Sequence, residues 1–260
     1  MSPFVLLPAI AAFLALWMVL AWFIAVRSGN SGWIDALWSL GVGVAAVTAT
    51  LTPLGEGEPT YRALLVAALT AIWSLRLGAH ILRRTLTGGD DPRYADLKRR
   101  WGAGWKLQLL VFLEVQAACG FVLALTAFIA AHNVGALGPL DVLGIMVALG
   151  AMAGEAIGDA QLAAFRADRK NEGRVCDTGL WSLSRHPNYF FEWLHWTAYP
   201  IIAIGSGWWW LSLGAPVLMY VLLRYVSGVP PLEAHMLRSR PQAFRAYQAR
   251  VNAFWPIPKR

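Results

Sequence analysis

Read for apolar and polar positions alone, the chain is a series of long apolar runs separated by short polar connections. The runs lie near residues 3–26, 33–54, 61–82, 106–131, 138–158, 188–206 and 207–226. Each is close to the roughly 20 apolar residues that a helix needs to cross the hydrocarbon core of a bilayer, and in lipid only a helix or a closed barrel satisfies its own backbone. The pattern predicts an all-α membrane protein, a seven-transmembrane-helix bundle forming a single integral domain over residues 1–260. The first run has no basic segment before it and no small-residue cleavage site after it, so it is expected to remain as a span.

Charge sets the expected orientation. Arg83, Arg84, Arg93, Lys98, Arg99, Arg100 and Lys106 fall between runs three and four, and Arg166, Arg169, Lys170, Arg174 and Arg185 between five and six. Arg238, Arg240, Arg245, Arg250, Lys259 and Arg260 form the tail, whereas the alternate connections carry only Arg62 with Glu56 and Glu58. Basic loops stay on the cytoplasmic side. The N-terminus is therefore expected outside and the C-terminus in the cytoplasm, in the plasma membrane (the inner membrane of a bacterium). Composition agrees: 57% of residues are hydrophobic and 14% charged, with 14 Trp and a mean hydropathy of +0.49. The net charge of +7 is explained by the loops bordering the spans and does not call for nucleic acid. Two cysteines, Cys119 and Cys176, match no disulfide framework or metal spacing, so no metal site is expected.

Some polar residues fall within or at the ends of the runs, among them Asp35, His80, Glu114, Gln116, Glu155, Asp159, Glu192, His195 and Arg224. Charged groups are costly against lipid, so they are expected to face an interior cavity open to the cytoplasmic side or to reach the interface; Glu114 and Gln116 fit a helix–helix hydrogen bond equally well. The run Gly41-Val42-Gly43-Val44-Ala45-Ala46 has the letters of a dinucleotide fingerprint but lies in mid-span without a preceding strand, and reads as close helix packing. Trp208-Trp209-Trp210 reads as an interfacial belt. The third connection opens as a turn at Gly88-Gly89 and continues as a short helix with Pro92 in its first turn. It suits a basic surface helix on anionic lipid, or a segment whose Arg93 and Tyr94 fold back over the cavity. The tail holds an amphipathic run, Phe244, Tyr247, Val251 and Phe254, suited to the cytoplasmic leaflet.

The densest chemistry lies from Asp159 onward. Glu155, Asp159, Arg166, Asp168, Arg169, Lys170, Asn171 and Arg174 mix groups suited to ribose hydroxyls with groups suited to phosphates. They lead into Gly179-Leu180-Trp181, Ser184-Arg185-His186-Pro187-Asn188-Tyr189 and Glu192, and then to Ser227-Gly228-Val229-Pro230 with Glu233. Together with Asp35-Ala36-Leu37-Trp38 and Asp91-Pro92-Arg93-Tyr94, these motifs resemble the DUF1295 branch of the membrane steroid 5-alpha-reductase family over nearly the whole chain.

That resemblance implies NADPH as cofactor and reduction of a carbon–carbon double bond conjugated to a carbonyl in a lipophilic, steroid-like or other lipid substrate. It implies a cofactor set of Asp159, Arg166, Asn171, Arg174, Arg185, His186, Asn188, Tyr189, Glu192 and Arg224, with Asn188 and Glu192 at the nicotinamide end. In the animal steroid reductases a Tyr follows a His in span three, whereas Ile81 follows His80 here. Such a reduction needs an acid at the carbonyl oxygen. Asp35, kept protonated by desolvation, is the expected donor, with His80 and Tyr94 next. Two other readings remain open: a lipid or isoprenylcysteine-type methyltransferase using S-adenosylmethionine, whose relatives share Arg-His-Pro-x-Tyr, and a non-enzymatic transporter or scaffold.

Overall fold

The computed structural model describes residues 1–88, 90–257 and 259, with Pro92 described by its backbone alone. Gly89 of the predicted turn and Arg260 of the basic tail lie outside the described residues. The described chain is helical, without a strand. Its helices are α1 (Pro3–Ser28), α2 (Gly32–Leu51), α3 (Tyr61–Thr87), α4 (Pro92–Trp101), α5 (Trp105–Ala131), α6 (Pro139–Ala167), α7 (Pro187–Ala203), α8 (Gly214–Val221), α9 (Val229–Ser239) and α10 (Pro241–Arg250). Local chemistry sets several ends. Ser2 caps α1 by accepting from the Phe4 amide, and Gly29 closes it at φ 72°, a left-handed turn that a side chain would strain. Thr60 caps α3 through the Ala63 amide, and Asp91 caps α4 through the Arg93 amide.

Among the described residues, six stretches are long and apolar enough to cross a membrane: Pro3–Ser28, Gly32–Leu51, Tyr61–Thr87, Arg93–Ala131, Pro139–Ala167 and Trp209–Ser239. These are the helices of an integral membrane protein. The sequence predicts seven, and the difference is α7, which has 17 residues and Pro200 inside it. The predicted last run, 207–226, is also not one regular helix: a 3-10 turn at Trp209–Leu213 leads into α8, which passes into a π-helical turn at Leu222–Val226.

Two compact units make up the chain: residues 1–141 with 199–214, and residues 142–198 with 215–260. In the first, α2 is the central element and packs on α1, α3 and α5. Its glycines permit this closeness, since a Cβ on Gly41 would lie 2.4 Å from the Trp17 ring of α1 and one on Gly43 would lie 2.0 Å from Ser74 Oγ of α3. Val42, Ala45, Ala46 and Ala49 of α2 are fully buried, as are Leu14 and Met18 of α1, Val66 and Trp73 of α3, and Leu113 and Leu123 of α5. A buried charged group of this unit is Arg62, whose Nε donates to Asp141 Oδ1 at 2.7 Å and Nη2 to Oδ2 at 2.9 Å. Its guanidinium also donates to the carbonyls of Asn133, Gly135 and Ala136. A buried cation needs this degree of pairing.

In the second unit, α6 and α7 approach at Gly154, where a Cβ would meet the Phe191 ring at 2.5 Å. Phe190 and Trp193 of α7 join Tyr220, Phe254 and Trp255 in an aromatic group with centroids 5.1–6.1 Å apart, within the range of favourable edge-to-face contact. The tail does not end as a free surface helix. After α10 the chain returns along the motif loop, where the Arg185 amide donates to the Asn252 carbonyl at 2.8 Å and Ser184 Oγ to that of Phe254 at 2.9 Å.

Candidate functional site

Each unit carries a polar cluster built on the residues that the sequence singles out. In the first unit, the cap of α4 sets the geometry: Asp91 ends the preceding turn, so Arg93 and Tyr94 start the helix facing the first turn of α2, where Asp35 sits. Tyr94 Oη donates to Asp35 Oδ1 at 2.8 Å, and Arg93 Nη2 donates to Asp35 Oδ2. Arg93 also grips Asp91 with two bonds, Nε to Oδ1 at 3.0 Å and Nη2 to Oδ2 at 2.9 Å, the fork-on-carboxylate geometry of strong ion pairs. Gln116 Nε2 of α5 donates to Tyr94 Oη at 3.2 Å, and Tyr94 is buried with its ring edge-on to Phe112. Burial pushes the Asp91 carboxyl up, but the Arg93 guanidinium and amide together with Arg84 outweigh it and hold the group below the usual carboxylate range. The segment thus folds back onto α2, one of the two arrangements the sequence allows. Of the expected catalytic residues, Asp35 and Tyr94 are brought together. His80 lies near the end of α3 and is exposed.

The second cluster is built on the motif loop. Leu180 N–H donates to Gln161 Oε1 at 2.9 Å and Trp181 Nε1 to the Gly158 carbonyl at 3.0 Å, which ties the loop to α6. Arg185 then turns into the tail, with Nε donating to Glu233 Oε1 at 2.8 Å and Nη1 to the Val251 carbonyl at 2.5 Å. His186 Nε2 lies 3.1 Å from the same Glu233 oxygen, and Gln248 Nε2 donates to the other at 2.8 Å. A carboxylate only accepts, so the Nε2 of His186 carries the proton and Nδ1 is the bare nitrogen. Nδ1 is buried and has no hydrogen-bond partner among the described residues, and the ring stacks on Tyr189 at 5.4 Å and 9°. Burial holds the imidazole below its ordinary range, against the opposing pull of Glu233. Tyr247 Oη, pushed well up by burial, bonds the carbonyls of Trp181 and Ser184.

The remaining residues of the expected cofactor set divide. Asn188 Nδ2 donates to Asp159 Oδ1 at 3.3 Å, joining the start of α7 to α6. Asn171 donates to the Phe165 carbonyl at the end of α6 and accepts from Arg174 at 3.4 Å. Arg166 and Arg174 are exposed. Glu192 is buried and accepts from Trp196 Nε1 at 3.0 Å, and Arg224, in the π-helical turn, lies over the Tyr225 ring at 5.1 Å. Arg185 and His186 are thus drawn to Glu233. Arg93, Gln116 and Glu233 hold these clusters together yet stand outside the expected catalytic and cofactor sets. For Arg93 the signal was available, as the residue beside Tyr94 behind an Asp-Pro cap.

A family described as a protein of unknown function, DUF1295, matches residues 21–251. An uncharacterized Schizosaccharomyces pombe protein, C594.04c, is 25% identical across 90% of this chain and 75% of its own length. No solved structure matches. With a match that runs from within α1 to the residue after α10 and takes in both polar clusters, the chain belongs to the DUF1295 family.

Proposed function

We propose that the protein is an NADPH-dependent membrane reductase of a carbon–carbon double bond conjugated to a carbonyl in a lipophilic substrate. The observation that carries this reading is the donor set of the second unit. Asp159 and Asn188 meet there, and Arg169, Lys170 and Arg174 are exposed without an ion pair among the described residues. This chemistry fits a phosphorylated dinucleotide: a carboxylate for ribose hydroxyls, an amide for a carboxamide, and cations for phosphates. Asp159, Arg166, Arg174 and Asn188 would hold it. Arg185 and His186 act through Glu233, as residues that shape the loop. The reduced nicotinamide, when bound, would supply the hydride for the β-carbon of the alkene.

The balancing proton goes to the α-carbon. Asp35 accepts on both oxygens, from Arg93 and from Tyr94. The proton to be given away is therefore the one shared by Tyr94 and Asp35, with Gln116 donating to the phenol oxygen as charge develops on it.

Thermal unfolding of the detergent-solubilised protein with NADPH, NADH or S-adenosylmethionine is the test, because a ligand of the native state stabilises it by mass action. Stabilisation by NADPH is expected, together with lipid products heavier by two hydrogens in mass spectra of membranes containing the protein. Tyr94→Phe should keep the NADPH stabilisation and lose about 100-fold or more in product formation. Stabilisation by S-adenosylmethionine alone, with products heavier by one methylene, would replace the reductase by a methyltransferase.

A further inference from the structure

Arg93 is committed on one edge and open on the other. A guanidinium carries five N–H donors in a rigid fork. The three on Nε and Nη2 serve Asp91 and Asp35. Nη1, with two donors, makes no hydrogen bond among the described residues, and the side chain is 34% exposed. Two carboxylates on separate elements, the cap of α4 and the first turn of α2, therefore fix a cation in one orientation with a free donor edge.

We propose that the Nη1 edge of Arg93 binds a neutral carbonyl oxygen at the polar end of a lipophilic ligand. Neutrality follows from the charges around it. Asp35 and Asp91 both border the guanidinium, and among the described residues the further cation paired with them is Arg84, 3.3 Å from Asp91 and 55% exposed. An anionic ligand would meet one fixed cation beside two carboxylates, and repulsion would offset most of the attraction. A carbonyl oxygen accepts two charge-assisted hydrogen bonds without that conflict. The aromatic rings that adjoin Tyr94, Phe112 at 6.2 Å and Trp101 at 6.2 Å from Phe112, suit an apolar body. The catalytic meaning of this site rests on the reductase reading, since a fixed cation at a carbonyl oxygen stabilises the negative charge that develops there during reduction. Binding itself requires no cofactor.

The test uses the detergent-solubilised full chain and four probes of equal chain length: dodec-3-en-2-one, dodecanoate, dodecyl phosphate and dodecane. The enone is expected to raise the unfolding temperature in a saturable way, and the two anions to act no better than dodecane. Arg93→Lys keeps a cation for Asp91 and Asp35 but removes the fork, and should weaken enone binding about tenfold. Isotope-edited infrared spectroscopy of the carbonyl-labelled enone gives a second readout on the unaltered protein, with the C=O stretch moving to lower frequency on binding; this decides the matter even where Arg93→Lys does not fold. The site is overturned by an enone that behaves like dodecane, by anions that bind more tightly, by unchanged affinity in Arg93→Lys, or by an unshifted stretch. A parallel NADPH arm separates the two readings. Enone binding without NADPH stabilisation sinks the reductase and leaves the carbonyl site, whereas NADPH stabilisation without enone binding does the reverse.

Discussion

At the residue scale, the two clusters differ in what a sequence can disclose. Asp35, Arg93, Tyr94, His186 and Glu233 are all visible as polar letters near apolar runs. Their partnerships are not, because Asp35 and Arg93 are 58 positions apart and Arg185 and Glu233 are 48 apart. The sequence offers Asp35 as the acid, yet both of its oxygens are taken as acceptors, one by Arg93 and one by Tyr94. His186 yields a pH prediction. Its ring is held neutral by burial, facing Glu233, with Arg185 and Arg224 further opposing a second proton. Below the ordinary histidine value of about 6.5 the unfolded chain takes up a proton that the folded one resists, so stability falls as pH drops through that value toward the lower folded one. The unfolding temperature should decline between about pH 7.5 and 5.5, and less steeply in His186→Gln; equal slopes would show that the imidazole is not held neutral.

At the element scale, hydropathy finds apolar length but not backbone pattern. Helices α1, α2, α3 and α5 match their predicted runs to within a few residues, since twenty-odd apolar residues in lipid have one way to satisfy their amides. The last run is equally apolar, yet it breaks into 3-10, α and π turns around Arg224, a change in hydrogen-bond register that no average over side chains records. The glycines of α2 were legible for a physical reason, since small residues spaced along a span mark where another helix comes close. Gly43 makes this measurable. Gly43→Val would drive a branched side chain into Ser74 and should lower stability by about 1–3 kcal/mol, read as a lower unfolding temperature. Unchanged stability would mean that α2 and α3 are held apart more loosely than the structure has them.

For the whole molecule, composition and the runs were enough to place the chain in a membrane, and the motifs were enough to place it in its family. What they did not show was the division into two units or the return of the tail to Ser184 and Arg185, both of which depend on contacts between distant segments. The number of crossings turns on α7. If its 17 residues cross the bilayer, with the local thinning a short helix needs, the count is odd and the termini lie on opposite faces, N-terminus outside and C-terminus in the cytoplasm, as the loop charges favour. Compartment-sensitive reporters fused to each terminus should show that split; two cytoplasmic signals would remove α7 as a crossing. One consequence concerns the connection before α6. Val134 there is 87% exposed and has the appearance of an easy target for a protease, but the carbonyls of Asn133, Gly135 and Ala136 all rest on the Arg62 guanidinium. Cleavage requires a peptide to be drawn out into an extended form, and here that means stripping a buried cation of three partners at once, so this loop is exposed without being pliable.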